Sequence, residues 1–345
     1  MYPWSRPWIE PATTLLALLT ALPAPVAAAR STGAEPATSL QDMRPDPLVL
    51  DLFDHVSLSR VTERARVLTG MAPCGGRWIE SRRVGHEDHG LAQTYLEDVV
   101  EAMGLAVRRE WFDCGVDVRC ANLVVELEGW VHPERTWVVG AHYDSTNGVD
   151  VEGPAPGAVD NASGVVVLLE VLEAARHHMF EDTLRFVLFD AEEEGLLGSA
   201  VHARLSAARG DQVELVFNLD VPGWRIPDRG CAFSSSDEPS WPDLQVLNRL
   251  AIQYPTGTCH VGVPLPGNDS NDAASFWVAG FHGFITGSLY AVTGFMNTEE
   301  DTYDKLDLDQ CVNVARLVLA YVGERGGILG TLGTIEREGV DVRGD

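Results

Sequence analysis

Between residues 106 and 322 the chain alternates short apolar, β-prone runs with amphipathic stretches of helical period. No other feature constrains the fold as strongly. Residues 106–112, 122–127, 137–141, 184–189, 213–221 and 283–289 read as strands. Residues 57–68, 88–103, 163–177, 197–207, 244–253 and 308–322 carry apolar side chains at helical spacing, and Gly326-Gly327 stop the last of these helices. Alternation of this kind predicts one α/β domain with a mostly parallel central sheet. In such sheets chemistry gathers at the carboxyl ends of the strands, so those ends are where functional residues are sought.

The flanks read differently. Residues 1–29 have the pattern of a secretory signal: Arg6, an apolar run broken by Pro23 and Pro25, then the small-residue cluster Val26-Ala27-Ala28-Ala29. The run is short for a membrane span, so no span is expected once the leader is removed, and a secreted or periplasmic location follows. Residues 30–47 read as a flexible lead-in, 48–326 as the folded domain and 327–345 as a tail. The 51 acidic against 25 basic residues, a formal net charge of −26, would repel a phosphate backbone and exclude a nucleic-acid partner. Six cysteines without a C-x-x-C pair argue against a structural zinc cluster. In an exported chain they point to disulfides, with Cys114 and Cys120 the easiest pair to credit. Buried free thiols are the alternative.

Four element junctions carry acids. The run 137–141 stops at His142-Tyr143-Asp144-Ser145, an imidazole with a carboxylate two residues on, as suits a metal ligand and the group that orients it. Gly157-Ala158-Val159-Asp160-Asn161 sets an acid where a helix begins; an ordinary helix cap would read the same way. Three consecutive carboxylates, Glu192, Glu193 and Glu194, follow the apolar end of the strand at Phe189. Burial of any of them requires a cation or a retained proton. Val216-Phe217-Asn218-Leu219-Asp220 is a fourth apolar run ending in an acid. Four such ends in series, one with a histidine, point to a hard or borderline cation.

In order and spacing these segments resemble the co-catalytic zinc aminopeptidases, metallopeptidase family twenty-eight, from about residue 68 to 322. The resemblance implies a three-layer α/β/α zinc exopeptidase fold and two zinc ions roughly 3.5–4 Å apart. It implies that His142 and Asp220 hold one ion, that Glu193 holds the other and that Asp160 bridges them. Glu192 would be the general base and Asp144 the carboxylate behind His142. It further implies a cis peptide between Asp160 and Asn161. The implied activity is aminopeptidase hydrolysis of peptide or protein substrates, with free carboxylates available to hold a substrate's α-ammonium group. A carboxypeptidase, a glutaminyl cyclase of the same fold, or a weakened homologue serving as a binding module are the alternatives.

The sequence departs from the family pattern at its last ligand. Where the family has a histidine before Thr-x-x-Asp-Thr, this chain has Asn297 before Thr298-Glu299-Glu300-Asp301-Thr302. An amide oxygen is a neutral, weak zinc ligand, so the second ion should be held less tightly. The stretch Ser270-Asn271-Asp272 also departs from the family's Ser-Asp-His. Among the other histidines, His282 reads as a partly buried strand residue. His86 and His89 read as the polar entry to a helix, and His177-His178 as a helix end favoured by the dipole. His55, His132, His202 and His260 have no sequence neighbours that would make a site. Trp224, Trp241, Phe276, Trp277 and Tyr290 could line a substrate pocket, although aromatics at such spacings more often fill a core. Substrate-binding residues and oligomeric state are not readable from the sequence.

Overall fold

The computed structural model describes residues 44–115, 118–224, 230–288 and 294–332. Three helices lead in: α1 (Pro47–Asp54), α2 (Leu58–Leu68) and α3 (His89–Ala102). Strands β1 (Arg108–Gly115), β2 (Val118–Leu127) and β3 (His132–His142) follow, then α4 (Ser163–Ala175), β4 (His178–Phe180) and β5 (Asp182–Phe189). The chain continues through α5 (Leu197–Arg209), β6 (Gln212–Leu219), β7 (Cys231–Ser236), α6 (Trp241–Gln253) and β8 (Cys259–Pro264). It closes with α7 (Asp272–Val278), β9 (Gly283–Ser288), α8 (Leu308–Arg325) and β10 (Ile328–Thr331). The leader expected at 1–29 and Tyr290 lie outside the described residues.

Eight strands form one sheet in the order β1-β2-β5-β3-β6-β9-β7-β8. The central four, β5, β3, β6 and β9, run parallel, as the alternation predicts. β2 at one side and β7 at the other run against them. β5 is buried at every position, which explains why its sequence shows no polar alternation. One face of the sheet is covered by α1, α2, α4, α6 and α8, whose apolar residues share a core with Val139, Phe186 and Phe217. On the other face Ala203 of α5 and Phe276 of α7 pack against Val138, Val187 and Val216. The result is three layers.

Helix α4 (Ser-Gly-Val-Val-Val-Leu-Leu-Glu-Val-Leu-Glu-Ala-Ala) is buried everywhere except at Glu173, so its apolar side chains contribute about 1.5–3 kcal/mol each. Its interior Glu170 is matched by Arg64, Nη1 to Oε2 at 3.1 Å, and by Arg60 Nε at 3.2 Å, both from α2. A buried carboxylate on an otherwise apolar helix would be costly without such partners.

Several elements differ from the sequence reading. α4 ends at Ala175 and His178 opens β4, so the two histidines do not cap a helix. α1, β7, β8 and α7 are additional elements, and Ile328–Thr331, expected as tail, pairs with β4. Cys114 pairs with Cys120 as expected, and Cys231 with Cys259 across β7 and β8, leaving Cys74 and Cys311 as free thiols. Trp277 donates its indole N–H to Gly283 O, and Phe276 is core. Among the described residues no helix is long and apolar enough to cross a membrane.

Candidate active site

Three adjacent parallel strands deliver the site. β3 ends at His142, β5 releases the chain into Asp190–Glu194, and β6 hands over to Asp220. Because β5, β3 and β6 are neighbours in register (His142 lies opposite Phe189, Gly140 opposite Asn218), their carboxyl ends open at one edge. Asp160 comes from the turn entering α4, and the peptide bond between Asp160 and Asn161 is cis. His142 Nε2 lies 3.2 Å from Asp160 Oδ1 and 3.5 Å from Asp220 Oδ1. These three residues bring one ligand atom each within 4.8 Å of one another, a convergence fit for a cation. Both acids are partly open to the cleft while His142 is buried.

Asp144 is fully buried and ties two strand ends together. Its Oδ1 accepts the N–H of Glu192 at 3.0 Å and its Oδ2 that of Glu193 at 3.1 Å, while Oδ1 stands 3.5 Å from His142 Nδ1. Burial alone would raise its pKa. His142 and the two backbone donors hold it below the ordinary value instead. Its carboxylate therefore fixes the glutamate turn and stands beside the imidazole, whose Nδ1 has no hydrogen-bond partner among the described residues. Glu193 is not among the three converging ligands. Its Oε1 is buried without a partner, and its pKa is pushed up to about 9, first by burial and then by Asp160. Glu192 is held well above the ordinary carboxylate range by burial, with Asp272, Asp220 and Glu193 adding to the shift. Burial likewise raises Asp220, and raises Asp272 to about 7. On His142 burial acts the other way, but Glu192 and the surrounding aspartates prevail and lift it well above 6.5. So many buried carboxylates around one imidazole lack positive charge, and the donor set fits a divalent cation bound by nitrogen and oxygen.

Asn297 sits at φ 56° in the turn before Asp301. Its carbonyl oxygen accepts the N–H of Gly148 at 2.9 Å, and its side-chain Oδ1 is buried without a partner. A buried amide oxygen without a partner among the described residues calls for an explanation. His282 does not reach the site. Its Nδ1 pairs with Asp243 at 2.8 Å and the side chain is about half exposed, not partly buried in a strand.

Sequence reasoning missed the groups that hold the Asp160 turn. Asp301, fully buried, accepts the N–H of Val159 at 2.9 Å and of Asp160 at 3.0 Å, and its own carbonyl takes the N–H of Ala158. Burial lifts its pKa to about 6. Asn161 links the same turn to β6, donating to Leu219 O at 2.8 Å and accepting from Val221 N at 3.2 Å. Arg82 is completely buried and donates to the carbonyls of Leu68, Tyr143, Pro156 and Gly157. Gly157, at φ 47°, leaves no room for a side chain, since a Cβ there would lie 2.5 Å from Asp160 O. His89 does more than open a helix: its Nε2 meets Asp190 Oδ1 at 2.8 Å, just before the glutamate turn. The Thr-x-x-Asp frame held the one usable signal for Asp301; nothing local marks Arg82.

Comparison with known families decides where this arrangement belongs. The description of peptidase family M28 matches residues 122–322, more than half of the chain. The chain is a member of peptidase family M28. A probable leucine aminopeptidase of Trichophyton verrucosum is 29% identical over 275 residues, 76% of this chain and 72% of that protein. A probable zinc metalloprotease of Pyrenophora tritici-repentis is 39% identical over 108 residues, 31% of this chain and only 25% of its own length. The chain thus spans about a quarter of that longer relative. Among solved structures, LapB of Legionella pneumophila superposes with a TM-score of 0.70 at 22% identity, covering 81% of this chain and 75% of LapB. A glutaminyl cyclase of Porphyromonas gingivalis gives 0.64 at 17% identity, covering 78% and 99%. At these identities the M28 chain shares the fold of both, and nothing finer.

Proposed function

We propose that this M28 chain is a zinc-dependent exopeptidase that removes amino-terminal residues from peptides. The observation that carries the reading is the convergence of His142 Nε2, Asp160 and Asp220 at the mouth of three parallel strands, beside two partly buried glutamates, Glu192 and Glu193. His142 and Asp220 would hold one zinc, Glu193 with the Asn297 amide a second and weaker one, and Asp160 both. Zinc bound there would polarise the scissile carbonyl and acidify the attacking water.

The chain's own groups supply the rest. Glu192 takes the proton from the attacking water and returns it to the leaving amine. Asp144 keeps His142 in one orientation and fixes the backbone that carries Glu192 and Glu193. Asp301 and Asn161 set the position of Asp160. The free carboxylates at the edge offer counter-charge to a substrate's α-ammonium group, which favours action at an amino terminus over a carboxyl terminus. The two disulfides support an extracytoplasmic location.

A second reading, a weakened homologue kept as a binding module, is favoured by Asn297 alone. Retention of Glu192 opposes it, because a module that only binds has no use for a proton-transfer carboxylate beside its ligands. Hydrolysis of a panel of aminoacyl-arylamides decides between them. The exopeptidase reading expects turnover that is lost on chelation, regained with zinc and absent for N-acetylated substrates. No turnover at any zinc concentration would leave the binding module.

A further inference from the structure

At the end of α4 remote from Asp160 lies a second group of ligand-type side chains that the catalytic reading does not use. Asp51 and His55 are one turn apart at the end of α1, and His178 opens β4. They bring one ligand atom each within 4.8 Å of one another. The thirteen residues of α4 put this cluster roughly 20 Å from the turn that carries Asp160.

The hydrogen bonding of His178 is what needs explaining. Its ring is completely buried, and Nδ1 lies 3.1 Å from the carbonyl oxygen of Ala174. A carbonyl only accepts, so Nδ1 carries the hydrogen. In the neutral ring Nε2 then presents a lone pair, and it faces Asp51 Oδ2 at 2.9 Å. Two acceptors at that distance require a cation between them, either a second proton on the ring or a metal ion. A backbone carbonyl on one imidazole nitrogen with the other left free is the arrangement metal-binding histidines use.

The surroundings favour the ion. His55 approaches His178 edge-on at 5.4 Å and stacks on His177 at 4.9 Å; His177 in turn lies 3.5 Å from Glu173, so three imidazoles meet two carboxylates, of which only Asp51 faces His178. The neighbouring cations are already engaged, Arg176 with Glu173 and Arg60 with Glu170. The Asp51 side chain is 45% exposed and leaves one side open for water. Zinc at ordinary bond lengths would set nitrogen and oxygen on the order of 3.3 Å apart, a few tenths beyond the present separation. A half-exposed carboxylate can make that adjustment.

We infer that Asp51, His55 and His178 form a second metal site, for zinc or a similar borderline divalent ion, which staples α1 to the junction of α4 and β4. Two imidazoles and a carboxylate match that class of ion. The staple joins residues far apart in sequence, so the ion should raise stability while leaving hydrolysis alone.

The test uses the full chain and zinc alone as the probe. A His142→Ala/Asp160→Asn variant lacks a ligand of each proposed catalytic zinc and should still retain one zinc per chain. Adding His55→Gln to it should weaken that zinc at least about tenfold. In the otherwise native chain, His55→Gln should lose one equivalent of zinc and its share of the zinc-induced rise in Tm, with arylamide hydrolysis unchanged. If the catalytic double variant does not fold, the stoichiometry of His55→Gln against the native chain stands as the test. Equal zinc content and equal Tm response in those two chains would show a proton, not a metal, between His178 and Asp51. Failure of the peptidase reading would appear separately, as absent turnover with this zinc still bound.

Discussion

Replacing Asp301 with Asn separates the catalytic role of the Asp160 turn from its structural role. The native carboxylate accepts two buried N–H groups, from Val159 and Asp160. The amide can accept only one and turns its NH2 toward the other, losing a charge-assisted bond of about 1.5–3 kcal/mol. Against this, the variant no longer buries a charge. Burial raises the Asp301 pKa from 3.8 to about 6, a shift equivalent to about 3 kcal/mol at neutral pH. That shift is already net of the two N–H bonds, so urea unfolding should show no loss of stability and at most a gain of about 3 kcal/mol. Activity has no such compensation. A turn that loses its anchor at the Asp160 amide displaces the carboxylate proposed above as a zinc ligand, and a shift near 1 Å costs on the order of 100-fold in kcat/KM. The assay pairs urea denaturation with arylamide hydrolysis on the same preparation. A variant of native stability that hydrolyses at the native rate would refute the assignment of Asp301 as the residue positioning Asp160.

Three further outcomes follow from the same geometry. Asn297→His should tighten the second zinc and raise turnover at low zinc, read by zinc titration with rate measurement; unchanged stoichiometry and rate would mean that the amide at 297 is not a ligand. The acid limb of stability should involve Asp211. Burial works against its charge, but Arg209 and Arg185 hold it at about 2, below its ordinary 3.8, so its stabilisation is complete above pH 4 and fades as pH falls toward 2. Asp211→Asn should therefore cost on the order of 1 kcal/mol at neutral pH, with the gap closing near pH 2 in urea titrations. Asp144→Asn should lower kcat more than it raises KM, since the amide cannot accept from both Glu192 N and Glu193 N; a pure KM effect would count against its orienting role.

The central sheet was legible because β5, β3, β6 and β9 are continuous apolar runs, buried on both faces, and such runs mark parallel strands directly. β7 was not legible, since Cys231-Ala232-Phe233-Ser234-Ser235-Ser236 has no apolar run. Its serines are buried and satisfied laterally, Ser234 by Thr286 at 2.6 Å and by His260 at 2.8 Å. The convergence of His142, Asp160 and Asp220 was legible because each follows an apolar strand or opens a helix, so the polar residue stands out against its background. Arg82 and Asp301 act on backbone groups far away in sequence, and no local spacing reveals such partners. His55 and His178 were passed over for the same reason: the fold, and not the chain order, makes them neighbours.

The most direct test of the catalytic account is turnover and zinc content measured together on Glu192→Gln. The amide keeps the shape of the side chain and removes its capacity to take a proton. Zinc content should equal that of the native protein while hydrolysis of aminoacyl-arylamides falls by at least about 100-fold. A Glu192→Gln protein that binds zinc normally and still turns over at the native rate would contradict the account.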